Sequence, residues 1–128
     1  MRSKQRTQLE KDWHKSVAQF ATESNWLVNK FGGYCIMPNQ FQLDHVIGAQ
    51  AKRKVNLVSE KVGEFVVLPI PVDLHDITSN NQYAIHKSRR VFEKQFGNCI
   101  TMWVEMVKTM KQEGYAIPFG DDVIKAVL

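Results

Sequence analysis

Histidines and aspartates suited to a hydrolytic site are concentrated in the middle of the sequence. His45 follows Asp44, His75 precedes a second aspartate, and His86 comes shortly afterwards. An imidazole titrates near neutral pH and therefore suits a general base that activates water. A carboxylate with one or two further imidazoles suits a divalent cation, which can neutralise a scissile phosphate and its leaving oxygen. The remaining histidine, His14, stands beside a tryptophan near the N-terminus, and we interpret it as a surface or packing residue.

The alternation of apolar and polar residues predicts that Asp44 and His45 lie on a short strand. The pattern runs over residues 41–47, puts His45 on the same face as Leu43, and ends at Gly48. Because adjacent strand residues point to opposite faces, the pair cannot share one role in regular geometry. The two side chains could divide the work, one holding a cation and the other activating water.

The segment that follows predicts a second strand and a short helix. Residues 49–63 are polar, and we expect a long, solvated hairpin connection. Residues 64–70 are rich in β-formers and are expected to pair back on the first strand. A helical turn over residues 72–77 is expected after Pro71. This turn would carry His75 close to the strands.

The rest of the chain is predicted to be helical. Its 128 residues suffice for one hydrophobic core, so we expect one domain, 1–128. The fold class is α+β, with a helical part over 1–33, a core with a β-hairpin over 41–97, and C-terminal helices over 98–128. Apolar spacing and capping residues predict helices over 5–20, from 23 to the Gly32–Gly33 pair, over 83–96, from 98 to 112, and from 121.

The charge of the chain is modest in total, but it is unevenly distributed. Lys and Arg number 17 and Asp and Glu 13, a formal net charge of +4. Two basic groups flank the three central histidines and could neutralise backbone phosphates of a nucleic acid. A solvated surface is the other interpretation of both groups. The first group is Lys52, Arg53 and Lys54, and the second is Lys87, Arg89, Arg90 and Lys94.

The cysteine count and the hydropathy exclude two classes of protein. Cys35 and Cys99 stand alone, with no CxxC pair, so the ligands for a structural zinc cluster are lacking. A disulfide between the two is left open. No apolar run approaches the roughly 20 residues that a membrane helix needs. We therefore expect no membrane partner and a cytoplasmic protein with free thiols.

Three segments of this central region resemble the HNH endonucleases and their ββα-metal motif. They are LDHVIG (43–48), GEFVVLPIPVDLHD (63–76) and AIHKSRRVFEKQFG (84–97). The similarity is to small phage and prophage proteins related to the recombination-enhancement, RecA-dependent nucleases. Such proteins have an acidic residue or His before a His on the first strand. A Pro-Leu-Cys-x-x-x-His stretch opens their helix, and a later helix contains Ile-His, Phe-Glu and Gly.

The resemblance implies a role for each central histidine. His45 would be the general base that activates the attacking water, and Asp44 would be a metal ligand. His75 would be the second ligand, and His86 a third ligand or a phosphate contact. The cofactor would be a divalent ion, Mg²⁺, Mn²⁺ or Zn²⁺. The chain would be encoded by a phage or prophage and act in the cytoplasm of the bacterial host.

The chain departs from the family pattern in two ways. Pro71 and Leu74 stand where many members have zinc-binding cysteines, so no structural zinc is expected. The middle Asn of the motif, which orients the catalytic His, is also missing, and its place falls near Val66. The substitutes that we considered are the backbone carbonyl near Glu64 or Val66, or the side chain of Asn80 or Asn81.

The leading hypothesis is therefore a metal-dependent DNA endonuclease, whose substrate could be single-stranded or branched DNA. An RNA nuclease is not distinguished from it by sequence. A non-catalytic nucleic-acid-binding module on an HNH-like scaffold is the second hypothesis. A third is an interaction factor that works with a recombinase or a phage replication complex. In the plainest interpretation Asp44 and His45 form a local hydrogen-bonded pair, His75 caps a turn, and the chain is a small α+β binding module.

Overall fold

Four short strands lie between two groups of helices in a computed structural model, which describes residues 6–34 and 40–128. The α+β class expected from the sequence is confirmed. No helix among these residues is long and apolar enough to cross a membrane. The elements are α1 (Gln8–Glu23), α2 (Trp26–Phe31), a 3₁₀ turn (Gly32–Tyr34), β1 (Phe41–His45), β2 (Lys52–Val55), β3 (Val58–Lys61), β4 (Val67–Pro71), α3 (Val72–His75), α4 (Arg89–Phe96), α5 (Cys99–Gln112) and α6 (Asp121–Val127).

Strands β1 and β4 form an antiparallel pair, as the sequence predicts. His45 lies opposite Val67, and Phe41 lies opposite Pro71. Backbone bonds outside the two strands continue the pairing at each end, from Val46 N to the Val66 carbonyl and from Val72 N to the Gln40 carbonyl, both 3.1 Å. The alternation of bonded pairs leaves positions 69 and 71 with their backbone nitrogens turned away from β1. Proline therefore costs this ladder no hydrogen bond.

The polar segment 49–63 contains a second antiparallel pair, β2 and β3, where the sequence led us to expect a solvated connection. Asn56 and Leu57 form its two-residue turn, with φ of 52° and 73°. Left-handed values at both positions are typical of the turn type that matches strand twist. The Asn56 amide donates to the Asp122 carboxylate at 3.0 Å, which fixes the tip of this hairpin to α6.

Capping side chains account for where three of the six helices in the described residues begin. Thr7 and Glu10 form a capping box at α1, which therefore starts three residues later than predicted. Asn98 caps α5, and α6 begins at Asp121, as expected. The helix predicted over 83–96 is wrong in its first half, since α4 begins only at Arg89 after a Ser88 cap.

Helices α1 and α5 meet in the core at one backbone carbonyl just before β4. The indole N–H groups of Trp13 on α1 and Trp103 on α5 both donate to the carbonyl oxygen of Phe65, at 2.9 and 3.0 Å. Both tryptophan side chains are buried, and the ring of Phe119 packs against each of them. Residues 64–66, which lead into β4, are thereby held between α1 and α5.

Gly63 generates the first prediction, because a side chain cannot fit at this position. A Cβ placed there would lie 1.9 Å from the Gly48 carbonyl oxygen and 2.7 Å from that of Ala49. We expect Gly63→Ala to lower the free energy of unfolding by about 3 kcal/mol or more, since backbone must move to admit it. Gly33→Ala is the control, because its Cβ meets nothing within 4 Å. Chemical denaturation measures both, and equal stability of the two variants would contradict the packing described here.

Candidate functional site

Asp44 and His45, consecutive on β1, belong to two separate clusters of polar side chains. The Asp44 cluster comprises Asp44, Gln42, His75 and Arg89. The His45 cluster comprises His45, Glu64, His14 and Arg6. Strand geometry predicts that the two side chains point to opposite faces, and their contacts agree. Asp44 faces α3 and α4, whereas the cluster of His45 includes a residue of α1.

The Asp44 cluster places an imidazole nitrogen beside a buried carboxylate. His75 Nδ1 lies 2.6 Å from the side-chain oxygen of Gln42, and His75 Nε2 lies 3.2 Å from Asp44 Oδ1. An amide oxygen only accepts hydrogen bonds, so Nδ1 is the nitrogen that carries the proton. When the ring also carries a proton on Nε2, that nitrogen donates to Asp44 Oδ1. When the ring is neutral, Nε2 has a free lone pair directed at the same carboxylate oxygen. Two such atoms facing each other favour a cation between them, with Gln42 as the partner that orients the imidazole.

The spacing of these two atoms fits a bound divalent ion. Ligands about 2.1 Å from an ion, at tetrahedral or octahedral angles, lie about 3.0–3.4 Å apart. The 3.2 Å between Asp44 Oδ1 and His75 Nε2 is within this range. Burial by itself would raise the pKa of Asp44, but hydrogen bonds to His75 and Arg89 outweigh it and hold that pKa below its usual value. Asp44 is therefore ionised at neutral pH and could serve as a ligand of a cation.

Arg89, predicted from the sequence to contact nucleic acid, is the counter-ion of Asp44 in this structure. Its two terminal nitrogens lie 3.0 and 3.1 Å from the two carboxylate oxygens. One of them also lies 3.4 Å from the sulfur of Cys99. Burial raises the pKa of Cys99 to about 12, so this sulfur is a protonated thiol and not a nucleophile. The guanidinium thus compensates a buried negative charge, and its role toward nucleic acid stays a prediction.

The His45 cluster joins the predicted base to a buried carboxylate. His45 Nε2 lies 2.6 Å from Glu64 Oε1, and Arg6 Nε approaches the same oxygen at 3.2 Å. Burial alone would raise the pKa of Glu64, but His45 and Arg6 lower it below the usual value, so the carboxylate is ionised. An ionised carboxylate only accepts, so His45 Nε2 carries the proton and Nδ1 has the lone pair. This is the arrangement in which a carboxylate orients a general base.

His14 supports this pair from α1, a contact that its interpretation as a surface or packing residue missed. Its Nε2 donates to the backbone carbonyl of Glu64 at 2.7 Å and lies 3.5 Å from Glu64 Oε1. Burial is the main reason why the pKa of His14 is below its usual value, and the ring is therefore neutral at pH 7. The His14 and His45 rings pack edge to face, with centroids 5.9 Å apart.

The remaining predicted site residues have other contacts. His86 is exposed, and its Nε2 lies 3.1 Å from the Ser79 carbonyl oxygen. No contact among residues 6–34 and 40–128 joins it to Asp44 or His75, so its role as a ligand stays a prediction. Lys87 donates to the Asn80 carbonyl at 2.9 Å. Cys99 is a free thiol, whereas Cys35 lies outside the described residues.

The basic residues of the hairpin are arranged by its register. Lys52 lies opposite Lys61, and with Lys54 they share one face of the β2–β3 hairpin. Arg53 is on the other face, opposite Glu60. On α4, Arg90 and Lys94 are exposed.

The acid that faces His45 could have been found from one signal in the sequence. Glu64 is the single charged residue at the head of the apolar run EFVVLPI, and a charged residue there is buried only if it has a partner. The substitute considered for the missing Asn at this position was the backbone carbonyl, but that carbonyl accepts from His14. It is the side chain of Glu64 that contacts His45.

Comparison of the chain with protein-family models, curated proteins and solved structures finds no match. Function is therefore inferred from the two clusters. Together they offer a position for a cation and an oriented imidazole with a free lone pair.

The bidentate pair between Asp44 and Arg89 generates a prediction about stability. Arg89→Gln leaves a buried carboxylate without its main counter-charge, and we expect the free energy of unfolding to fall by about 2–4 kcal/mol. The neighbouring Arg90→Gln removes the same charge from an exposed site and should change stability by less than about 0.5 kcal/mol. Urea denaturation at pH 7 measures both values. Equal effects of the two substitutions would show that Asp44 does not depend on Arg89.

Proposed function

We propose that this protein is a metal-dependent endonuclease of the HNH type that hydrolyses phosphodiester bonds of DNA. The observation that carries the proposal is the arrangement around β1. There a base oriented by a carboxylate (His45–Glu64) and a cation-binding pair (Asp44–His75) are built on consecutive strand residues. Hydrolysis of a phosphodiester needs both parts within reach of one phosphate. Because the two pairs lie on opposite sides of β1, that phosphate would lie across the end of the strand, where His45 is the last residue.

The order of elements supports this proposal. The antiparallel pair β1–β4 is followed directly by α3, the strand–strand–helix order of a ββα-metal motif. Asp44 is on the first strand and His75 on the helix, where the resemblance to HNH endonucleases puts the two metal ligands. We propose that Glu64, two residues before the place near Val66 where the family pattern has its Asn, performs the orienting role of that Asn.

In the proposed mechanism His45 Nδ1 accepts a proton from water, and the resulting hydroxide attacks phosphorus. Glu64 then stabilises the imidazolium through its hydrogen bond to Nε2, more strongly than a neutral Asn would. Asp44 and His75 would hold the divalent ion, and Gln42 orients His75. That ion, when bound, supplies positive charge for the scissile phosphate and the departing oxygen.

Binding of the substrate is assigned to the basic face of the β2–β3 hairpin. Lys52, Lys54 and Lys61 can neutralise successive phosphates of a nucleic acid backbone without reading its sequence. The exposed Arg90 and Lys94 on α4 add to this charge. We propose no membrane contact, and a recombinase or replication partner stays a prediction from the resemblance.

A non-catalytic nucleic-acid-binding protein is the second candidate function. It is favoured by Arg89, whose guanidinium compensates the buried charge of Asp44. In this alternative the two clusters stabilise the fold, and the hairpin alone binds nucleic acid. The cleavage experiment below separates the two candidates.

Substitution of His45 and Glu64 tests the proposed reaction. We expect His45→Ala to lower single-turnover nicking of supercoiled plasmid, with Mg²⁺ or Mn²⁺, at least about 100-fold. Glu64→Gln should lower it about tenfold or more, because the amide cannot stabilise the imidazolium equally. The control is Glu60→Gln, which removes the same charge from the exposed hairpin and should cleave normally.

Two outcomes would overturn the catalytic proposal. One is full activity of His45→Ala. The other is tight DNA binding by the wild-type chain with no cleavage of duplex, single-stranded or branched DNA under any divalent ion. A parallel series with His86→Ala tests whether that residue contributes as a third ligand.

Neutralising the hairpin tests its role in binding. We expect the double variant Lys52→Gln, Lys54→Gln to bind DNA more weakly and to reduce the slope of log affinity against log salt by about 2. Lys108→Gln with Lys111→Gln removes the same charge from exposed positions of α5 and should leave that slope unchanged. Fluorescence anisotropy over a salt series measures both. Equal slopes for the two double variants would exclude the hairpin as the main contact.

A further inference from the structure

The His45 cluster contains three metal-ligand groups in one place. The imidazoles of His14 and His45 and the carboxylate of Glu64 each offer one ligand atom, and these atoms all lie within 4.8 Å of one another. They come from α1, the end of β1 and the segment before β4. The side chain of Glu64 is 4% exposed, that of His14 12% and that of His45 25%. The site is thus shielded on the Glu64 side and open to solvent beside His45.

We infer that the His45 cluster is a second cation site, which binds a transition ion of the Zn²⁺ class. Two imidazoles with one carboxylate are a ligand set that zinc takes in proteins, with water in the fourth position. Mg²⁺ and Ca²⁺ prefer oxygen ligands, so the same set disfavours them. The Asp44–His75 position, with one carboxylate and one imidazole, lies on the other side of β1 and is distinct from it.

The distances in this cluster set a condition on binding. The 3.5 Å between His14 Nε2 and Glu64 Oε1 is close to the roughly 3.4 Å that separates two ligands of a tetrahedral ion. The same Nε2 donates to the Glu64 carbonyl at 2.7 Å, so this hydrogen bond must open when the nitrogen binds an ion. The 2.6 Å between His45 Nε2 and Glu64 Oε1 is a hydrogen bond and is too short for two ligands of one ion. The ion must take the place of the proton between them, so the metal and this hydrogen bond exclude each other.

Loss of the hydrogen bond between His45 Nε2 and Glu64 would prevent His45 from acting as a general base. When Nε2 binds an ion, the proton of the neutral ring is on Nδ1, and the lone pair that would accept a proton from water is lost. A transition ion at this site therefore removes the general base, and it inhibits hydrolysis. This consequence rests on the proposed function, whereas binding of the ion does not.

Arg6 opposes binding of the ion, so the affinity for the ion should rise when the charge of Arg6 is removed. Its guanidinium contacts the Glu64 oxygen that the ion would use, at 3.2 Å, and its side chain is 47% exposed. Because the side chain is partly in solvent, it can leave the carboxylate when an ion arrives. Removing its charge should strengthen binding, which loss of a merely structural contact would not do.

Metal titration of the full chain tests the site without reference to activity. Zn²⁺ is titrated in competition with a chromogenic chelator, and Co²⁺ gives a visible spectrum that reports its geometry. We expect His14→Gln to lower Zn²⁺ affinity at this site at least about tenfold and to abolish the tetrahedral Co²⁺ spectrum. Glutamine keeps an N–H that can donate to the Glu64 carbonyl, which preserves the fold. Arg6→Gln should raise the affinity severalfold.

Asp44→Asn is the matched control, because it alters the other cation position and should leave the tetrahedral Co²⁺ spectrum intact. The inference is overturned if His14→Gln binds Zn²⁺ like the wild type, if Asp44→Asn loses the spectrum instead, or if Arg6→Gln does not bind more tightly. The Arg6 result decides even if His14→Gln fails to fold.

Inhibition is read in a separate assay, in which Zn²⁺ is added to Mg²⁺-supported cleavage by the wild type and by His14→Gln. If Zn²⁺ inhibits the variant less than the wild type, the result supports inhibition through binding of the ion to His45. Equal inhibition of the two proteins refutes it. A wild-type chain that never cleaves DNA refutes the proposed function, and the titration still decides the metal site.

Discussion

Two consecutive backbone carbonyls, those of Glu64 and Phe65, hold the structure together at its centre. The ring of His14 donates to the first at 2.7 Å, and the indoles of Trp13 and Trp103 donate to the second at 2.9 and 3.0 Å. These bonds join α1 and α5 to the segment that leads into β4. Because buried carbonyls without partners would each cost about 1–3 kcal/mol, the packing of both helices is coupled to this segment. The same contacts fix the backbone of the residue whose carboxylate orients His45.

One strand separates two kinds of electrostatic environment. Asp44 is compensated by a permanent cation, Arg89, and faces an imidazole nitrogen that can share a metal ion. Glu64, reached from the next residue of β1, is paired with the imidazoles of His45 and His14 and with the partly exposed Arg6. The alternation of side chains along a strand thus allows two acids within a small fold to be ionised without repelling each other directly.

Local patterns in the sequence were sufficient for most elements, but not for the contacts between them. The pairing of β1 with β4, the Asn98 cap and the start of α6 follow from alternation and from capping residues. The beginning of α4 was misplaced because Ile85 N bonds to the Leu74 carbonyl at 2.7 Å, a tertiary contact that competes with helix formation. The β2–β3 hairpin was read as a solvated connection because its lysines obscure the strand pattern.

The candidate site was predictable only in part, because its contacts join residues that are far apart in the sequence. Asp44, His45 and His75 were identified because their residue types and order are distinctive. Glu64 and His14 were not, because the bond from Glu64 to His45 spans 19 residues and that from His14 to Glu64 spans 50. No spacing rule connects residues that far apart. The continuation of the β1–β4 ladder brings Glu64 to His45, and the packing of α1 against the segment before β4 brings His14 to Glu64.

The two prolines of β4 have a consequence for assembly of the protein with other chains. The outward nitrogens of this strand belong to Val67, Pro69 and Pro71, so only one of the three can donate a hydrogen bond. A strand from a second copy or from an extended peptide could not form a regular ladder along this edge. The pair β1–β4 is therefore closed to growth on the β4 side, which protects a small, open sheet from edge-to-edge aggregation.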